Sequence, residues 1–325
     1  MTLNDIYHMI DPVAFAVGPF EVRWYGLAYI AGFVCAGFVM YRVAKHWKLR
    51  FDLDTLTTVL LCVMIGLILG ARIGYVVVYG DGWYWQHPED ILAFHKGGMS
   101  FHGGLVGGVI GGMVAARITK VPFMTLADLA VCGAPLGLFF GRCANFINGE
   151  LWGAVTDLPW GVVFDGSAGS LPRHPSQLYE AVLEGLVIFI VLFIVSRKNN
   201  PPRPRGTHLG VFLILYGIFR FAVEFVRQPD VQIGYLLGTD WLTMGQVLSL
   251  PLVLVGIGFV VWAAKVRLPQ QGMPEPAAAS PVPEDEGNER PEELVEETEI
   301  AAPVQAAAPA EVAGAADAAA GSQGE

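Results

Sequence analysis

Charge is what this 325-residue chain has least of: Asp, Glu, Lys and Arg make up 15% of it, against 54% hydrophobic residues. Soluble domains carry about 25% charge. The shortfall, with a mean hydropathy of +0.49, excludes an ordinary cytosolic enzyme, a disordered chain and a nucleic-acid binder, and points to an integral membrane protein. Cysteine is scarce too. The four (Cys35, Cys62, Cys132 and Cys143) lie in apolar segments with no CxxC or Cys/His spacing. They read as small buried hydrophobes, not as a zinc site or a disulfide framework. Nor is there a secretory leader, because Asp5 and Asp11 precede the first apolar run and no basic region does.

The net charge of −10 divides unevenly. Residues 1–267 hold 19 Lys+Arg against 17 Asp+Glu, a net of +2, whereas residues 268–325 hold Arg290 against 13 acids, a net of −12. That tail is rich in Ala, Pro, Glu and Gly and nearly free of aromatics, a composition that cannot bury enough apolar surface to fold. Residues 1–267 are therefore expected to be the membrane domain and 268–325 a disordered acidic appendage.

A bilayer core of about 30 Å takes about 20 apolar residues per helix. Seven segments meet that length, at roughly 24–43, 56–79, 101–118, 124–143, 179–196, 209–226 and 243–264. The fold expected is an all-α polytopic membrane protein of about seven transmembrane helices. Alternate loops hold twelve basic residues (Arg42, Lys45, Lys48, Arg50; Arg117, Lys120; Arg197, Lys198, Arg203, Arg205; Lys265, Arg267), and the opposite loops hold four (Arg23, Lys96, Arg173, Arg227). The positive-inside rule then puts the N-terminus outside and the acidic tail in the cytoplasm. The outer loops are the long ones. Residues 80–100 carry the interfacial cluster Trp83, Tyr84 and Trp85, and residues 144–178 are expected to form a small extracytoplasmic head.

Ionisable residues within spans are costly and default to functional hypotheses; here they are Arg72, His102, Asp128, Arg142, Glu180, Glu184, Arg220 and Glu224. On the sixth span Tyr216, Arg220, Glu224 and Arg227 fall on one narrow helical stripe. A polar stripe on an apolar helix must face protein or water; an Arg220–Glu224 pair gluing helices together is the plainer reading of it. The fourth span ends in Gly141-Arg-Cys-Ala-Asn-Phe-Ile-Asn-Gly-Glu-Leu-Trp-Gly153, where Arg142 and Asn145 share a face. An arginine there either forks onto phosphate oxygens or snorkels beside a helix end. His102 stands among glycines at the outer rim of the third span, and a lone histidine is more often structural. The pairs Gly103-Gly104, Gly107-Gly108 and Gly111-Gly112 serve backbone-close helix packing. In Arg173-His-Pro-Ser-Gln-Leu-Tyr-Glu180, Ser176 reads first as a helix start, while Gln177 and Glu180 also suit a site. Arginines, a histidine, carboxylates and amides towards the outer half suit an anionic head group, and phospholipid is the nearest one.

On these residues the chain resembles the prolipoprotein diacylglyceryl transferases, over about residues 1–267. The resemblance rests on Arg23-Trp-Tyr-Gly26, Ser-Phe-His-Gly-Gly around His102, the 141–153 signature (with Ala144 where many relatives have Gly), His174-Pro-Ser-Gln-Leu-Tyr-Glu180, and the arginine-bearing sixth span ending Phe225-Val-Arg-Gln-Pro-Asp230. It implies an enzyme of the bacterial inner membrane that moves the diacylglyceryl group of phosphatidylglycerol to the lipobox cysteine thiol of a prolipoprotein signal peptide. A thioether forms and glycerol 1-phosphate leaves. It implies His102, Arg142 and Arg220 as catalytic residues, with His102 the candidate base for the thiol. Tyr25, Asn145, Glu150, Gly153, Tyr216, Glu224 and Arg227 are implied in substrate binding or orientation, together with Arg142. No metal or cofactor is implied, since the lipid carries the transferable group. Two rivals stand beside it. A transporter or flippase requires polar residues down to the inner end, where Asp128 is the exception to the outer clustering. A non-enzymatic scaffold leaves the arginines unexplained.

Overall fold

The computed structural model describes residues 1–80, 82–94, 97–198, 201–229 and 234–275. Lys96 of the orientation argument, Asp230 of the sixth-span motif and nearly all of the acidic tail lie outside them.

Six helices are long and apolar enough to cross a bilayer: α2 (Trp24–His46), α3 (Leu53–Tyr79), α5 (Phe101–Thr119), α6 (Phe123–Ile147), the helix Ser176–Lys198, and α10 (Met244–Val266). Ser176–Lys198 is made of α7 (Ser176–Glu180), a π-helical stretch Ala181–Val187, and α8 (Ile188–Lys198). The remaining expected span is α9 (Thr207–Val223), only 17 residues long. At 1.5 Å per residue it reaches about 25 Å, short of the hydrocarbon core, because Gly206 at φ +86° opens it and a turn follows it directly. Caps fix the other ends: Asp52 accepts from the Thr55 amide (2.8 Å), and Thr243 and Gln246 form a reciprocal capping box.

The helices pair through small residues. On α3, Gly66, Gly70 and Gly74 face Gly103, Gly107 and Gly111 of α5; a Cβ on Gly74 would stand 2.7 Å from the Cα of Gly103. Gly32 of α2 meets Gly137 of α6 in the same way, and Gly210 of α9 meets Gly256 of α10. Backbones approach this closely in lipid because dispersion, not water exclusion, drives the contact.

Some elements depart from the sequence expectation. Residues before the first span form a short helix α1 (Leu3–Met9) and an antiparallel hairpin of β1 (Val13–Val17) and β2 (Phe20–Arg23), so the fold is helical with one small β element. The loop after α3 holds a single-turn helix α4 (Trp83–Gln86). Residues 148–175, between α6 and α7, make the head. Its core is an aromatic trio, Tyr7, Phe146 and Phe164, with ring centroids 5.0–5.9 Å apart, joined by buried Val162 and Ala168. Burial raises the pKa of the Tyr7 phenol there.

The end of the bundle opposite the head is tied by hydrogen bonds. Asp128 of α6 accepts from the amides of Gly206 and Leu209 (2.8 Å each), so it caps the start of α9. The membrane unit runs to Glu275, beyond the boundary expected at 267. Residues 268–275 fold back as a strap: Gln270 donates to Asp128 (2.6 Å), Arg205 donates to the Pro269 carbonyl (2.7 Å), and Arg50 donates to the Pro274 carbonyl (2.6 Å). Composition placed this strap with the tail because Pro and Gln dominate it; its backbone is nevertheless paired.

Candidate active site

The head end of the bundle gathers three arginines and three glutamates. Arg142 sits near the end of α6. Its Nε stands 2.6 Å from Glu180 of α7 and its Nη2 3.9 Å from Glu184 of the π-helical stretch. Arg220, near the end of α9, is 3.4 Å from Glu180 and 4.0 Å from Glu184, and it pairs closely with Glu224 one turn on. Arg227 is 3.6 Å from Glu180 and 3.3 Å from Glu224. Glu224 also accepts from the Thr243 hydroxyl (2.6 Å) at the start of α10.

Sequence periodicity placed Arg227 on the α9 stripe, but the helix stops at Val223 and Arg227 arrives differently. It forms an isolated antiparallel bridge with Gly153 of the head. The fit requires glycine: a Cβ on residue 153 would lie 2.7 Å from His174 Cβ and 2.8 Å from its carbonyl oxygen. The bridge, with the Ala154 amide donating to the Val226 carbonyl (2.9 Å), brings the backbone of Arg227 beside Gly153, and the ion pairs hold its side chain at the cluster.

Burial is graded across the cluster. The side chains of Arg142, Arg220 and Arg227 remain 19%, 16% and 11% exposed, whereas Glu180 and Glu184 are at 0%. Solvent therefore reaches part of each arginine side chain but neither of these two carboxylates. Neither oxygen of Glu180 or Glu184 has an aligned hydrogen bond, and Arg220 Nη1 and Arg227 Nε are likewise without one. Buried polar atoms are almost always satisfied, so a group of unsatisfied ones asks for an explanation. The π-helical winding supplies part of it. An i→i+5 turn is uncommon and concentrates at functional sites, and this one sets Glu180 and Glu184 against the same two arginines.

A second group adjoins on α6. Asn145 donates to Glu150 (2.7 Å) and is within electrostatic reach of Tyr25, whose hydroxyl is 3.2 Å from that of Tyr29. Gln177 donates to the Glu150 carbonyl (2.6 Å) and fixes the loop after α6. Tyr216, one turn before Arg220, is within electrostatic reach of Arg142, Glu180 and Glu184. The structure therefore brings together nine of the ten residues singled out from sequence. His102 is the exception. It lies exposed in the first turn of α5, with Phe101 as its ring neighbour and no hydrogen bond or ion pair to either arginine. Sequence reading named Glu184 among the ionisable residues of the spans without giving it a specific role, and did not single out Thr243. The available signal was a count, three carboxylates for three arginines at one membrane depth.

Two other arginines are occupied structurally. Arg72 of α3, 1% exposed, donates to the carbonyls of Ile91 (2.7 Å), Asp90 (2.6 Å), Gly97 (2.5 Å) and Gly98 (3.0 Å) and so pins the loop before α5. Arg173 lies 4.1 Å from the Trp152 ring centroid and donates to the Ala168 carbonyl within the head. Beside it, burial lowers the pKa of His174.

Comparison with known proteins gives concordant results. A family model described as prolipoprotein diacylglyceryl transferase matches residues 12–262. The chain is 48% identical over 259 residues to a phosphatidylglycerol–prolipoprotein diacylglyceryl transferase of Geobacter sulfurreducens, covering 80% of this chain and 97% of the relative. It is 47% identical over 280 residues to one of Cupriavidus necator, covering 84% and 99%. With one of Pseudomonas aeruginosa it shares 47% over 257 residues, covering 79% and 95%.

Proposed function

The chain belongs to the prolipoprotein diacylglyceryl transferase family, and from that premise we propose how its residues perform the transfer. It is a multi-pass membrane enzyme that moves diacylglyceryl from phosphatidylglycerol to prolipoprotein. The acceptor is the thiol of a lipobox cysteine; sulfur bonds to the terminal glycerol carbon of the diacylglyceryl group, and that carbon's bond to phosphate oxygen breaks. The products are a thioether, glycerol 1-phosphate and one proton. The protein sits in the bacterial inner membrane with its head end outside and residues 268–275 on the cytoplasmic face, as the distribution of Lys and Arg favours.

The reaction asks for two things. A thiol with a pKa near 8.5 must become thiolate, and a phosphate oxygen gathers charge as it departs. Arg142 and Arg220 meet the second demand, holding the diester and stabilising the developing monoester through fixed donors. Glu224 holds Arg220 in place and is itself paired with Arg227, whose backbone bridges to Gly153, and Tyr25, Asn145, Glu150 and Tyr216 line the head-group side. For the first demand His102 is the base, its imidazole taking the proton from the peptide thiol. No metal or organic cofactor enters, because the lipid itself carries the transferable group.

The observation that carries this reading is the convergence of Arg142, Arg220 and Arg227 on Glu180 at the head end, all three partly exposed and the last two each with a nitrogen lacking a hydrogen bond. The test incubates purified protein with radiolabelled phosphatidylglycerol and a lipobox peptide. Arg142→Ala and Arg220→Ala, checked for native helix content, are expected to lose on the order of 10²–10³ in rate. Undiminished transfer by folded arginine variants overturns the mechanism, and lipid scrambling without transfer favours a flippase.

A further inference from the structure

The carboxylates hold the feature that the mechanism leaves unused. Three glutamates face three arginines, so the buried set is formally neutral before any guest arrives. A phosphodiester brings one negative charge and a departing monoester up to two. An uncompensated charge in a poorly solvated site costs several kcal/mol, and buried acids relieve such a cost by binding a proton.

The three glutamates are not equal candidates. Glu180 contacts all three arginines, at 2.6, 3.4 and 3.6 Å. Glu224 pairs with two and accepts the Thr243 hydroxyl. Glu184 has only the two longest contacts of the set, 3.9 Å to Arg142 and 4.0 Å to Arg220, and neither of its oxygens has an aligned hydrogen bond although its side chain is fully buried. Neutralising Glu184 therefore sacrifices least. The charged and titratable groups facing it are Arg142 from α6, Glu180 from α7, and Tyr216, Arg220 and Glu224 from α9 and its end.

We propose that Glu184 takes up one proton from solvent as an anionic phospholipid head group docks, leaving one positive charge of the Arg142 and Arg220 pair uncompensated for the phosphate to balance. Glu184 is a positioning residue, acting through the two arginines and not on the lipid. The inference rests on the reading that those arginines hold the head group. It explains why an acid is placed fully buried on a π-helical turn with poor partners, since such a group changes charge state with the occupancy of the site.

Without acceptor peptide no transfer occurs, so binding is measurable by itself. Calorimetric titration of the full chain in detergent with phosphatidylglycerol, in two buffers of different ionisation enthalpy, counts protons taken up per lipid. Wild type is expected to take up about one, with affinity falling up to about tenfold per pH unit as pH rises through the titration range of Glu184. Glu184→Gln is expected to bind phosphatidylglycerol with no uptake and a flat pH profile, and phosphatidylcholine, with no net charge, to drive none in either protein. Wild-type binding without proton uptake, or full uptake retained in a folded Glu184→Gln, overturns the proposal. Arg142→Ala separates the two failures, because unchanged lipid affinity in that variant overturns the head-group reading and the Glu184 inference with it.

Discussion

Two buried charge clusters lie at opposite ends of the same bundle and follow opposite rules. At the far end, Asp128 is 0% exposed with only the His208 ring nitrogen, at 4.0 Å, as an ionisable neighbour, yet its carboxylate accepts two backbone amides and the Gln270 side chain. It is a helix cap placed on a neighbouring helix, stabilised by the α9 dipole. At the head end the carboxylates have cations in abundance and almost no aligned hydrogen bonds. Arg72 sharpens the contrast, because its guanidinium is consumed by four carbonyl contacts while Arg142 meets only the carboxylates of Glu180 and Glu184 and stays 19% exposed. Hydrogen-bond satisfaction thus separates the charges that hold the fold from those that await a guest, where ion pairing alone does not. The same contrast answers the transporter reading, since Asp128, the polar residue that reading relied on at the inner end, is closed off by the start of α9 and the strap.

The largest effects should come from exchanging one rule for the other. Arg142→Lys keeps the charge but loses the planar fork and the Nε contact; transfer of labelled lipid is expected to fall on the order of 10², with helix content unchanged. Near-normal turnover there would show that charge alone suffices. Asp128→Ala is the converse. It strands two amides and a side-chain donor, so unfolding should become easier by about 3 kcal/mol, read as a lower midpoint in detergent, while turnover per folded molecule stays near wild type. Lost turnover without lost stability would break the contrast.

Gly153→Ala tests how the head serves the cluster. The added methyl meets His174 and the Val226 carbonyl, pushing residues 226 and 227 away and carrying Arg227 with them. A rate loss of roughly tenfold to a hundredfold is expected, as for a displacement of about 1 Å, and transfer assays on the folded variant would read it. An unaffected rate would mean that Arg227 is placed by its ion pairs and not by the bridge.

What the sequence disclosed divides along similar lines. The seven apolar segments were legible because burial in lipid imposes length and hydropathy locally, and the Arg142 and Arg220 positions were legible as charges where none is cheap. The π-helical turn was hidden, since apart from Glu184 nothing in Ala181–Val187 distinguishes it from an ordinary apolar helix, and the close approach of Gly185 to Phe139 of α6 within it is a tertiary contact. The approach of Arg227 was hidden for the same reason, as it depends on a bridge to Gly153, distant in the chain. The strap 268–275 was misread by composition, because Pro and Gln look unstructured until Asp128, Arg50 and Arg205 supply partners. His102 shows the converse limit: rim position suggested proximity to the arginines, but α5 packs with α3, and the structure gives the two no direct contact.

The smallest predicted effect probes the head, where a titrating group lies outside the membrane. Burial lowers the pKa of His174 in the folded protein from its ordinary 6.5, while its Nδ1 stands 3.2 Å from the Tyr179 hydroxyl, which accepts from Trp160 Nε1 (2.7 Å). The unfolded chain therefore binds a proton at a higher pH than the folded one. Where the unfolded state binds more protons, stability rises with pH, so this histidine should cost the head stability as pH falls below its ordinary value, with no further loss once the folded pKa is passed. Comparing melting midpoints of wild type and His174→Gln near pH 8 and near pH 5 isolates the contribution. Glutamine keeps a polar partner for Tyr179 and cannot titrate, so its midpoint should fall less on acidification. An equal fall in both proteins would assign the acid sensitivity elsewhere, to carboxylates such as Asp52, whose bond from the Thr55 amide holds its pKa below the usual range.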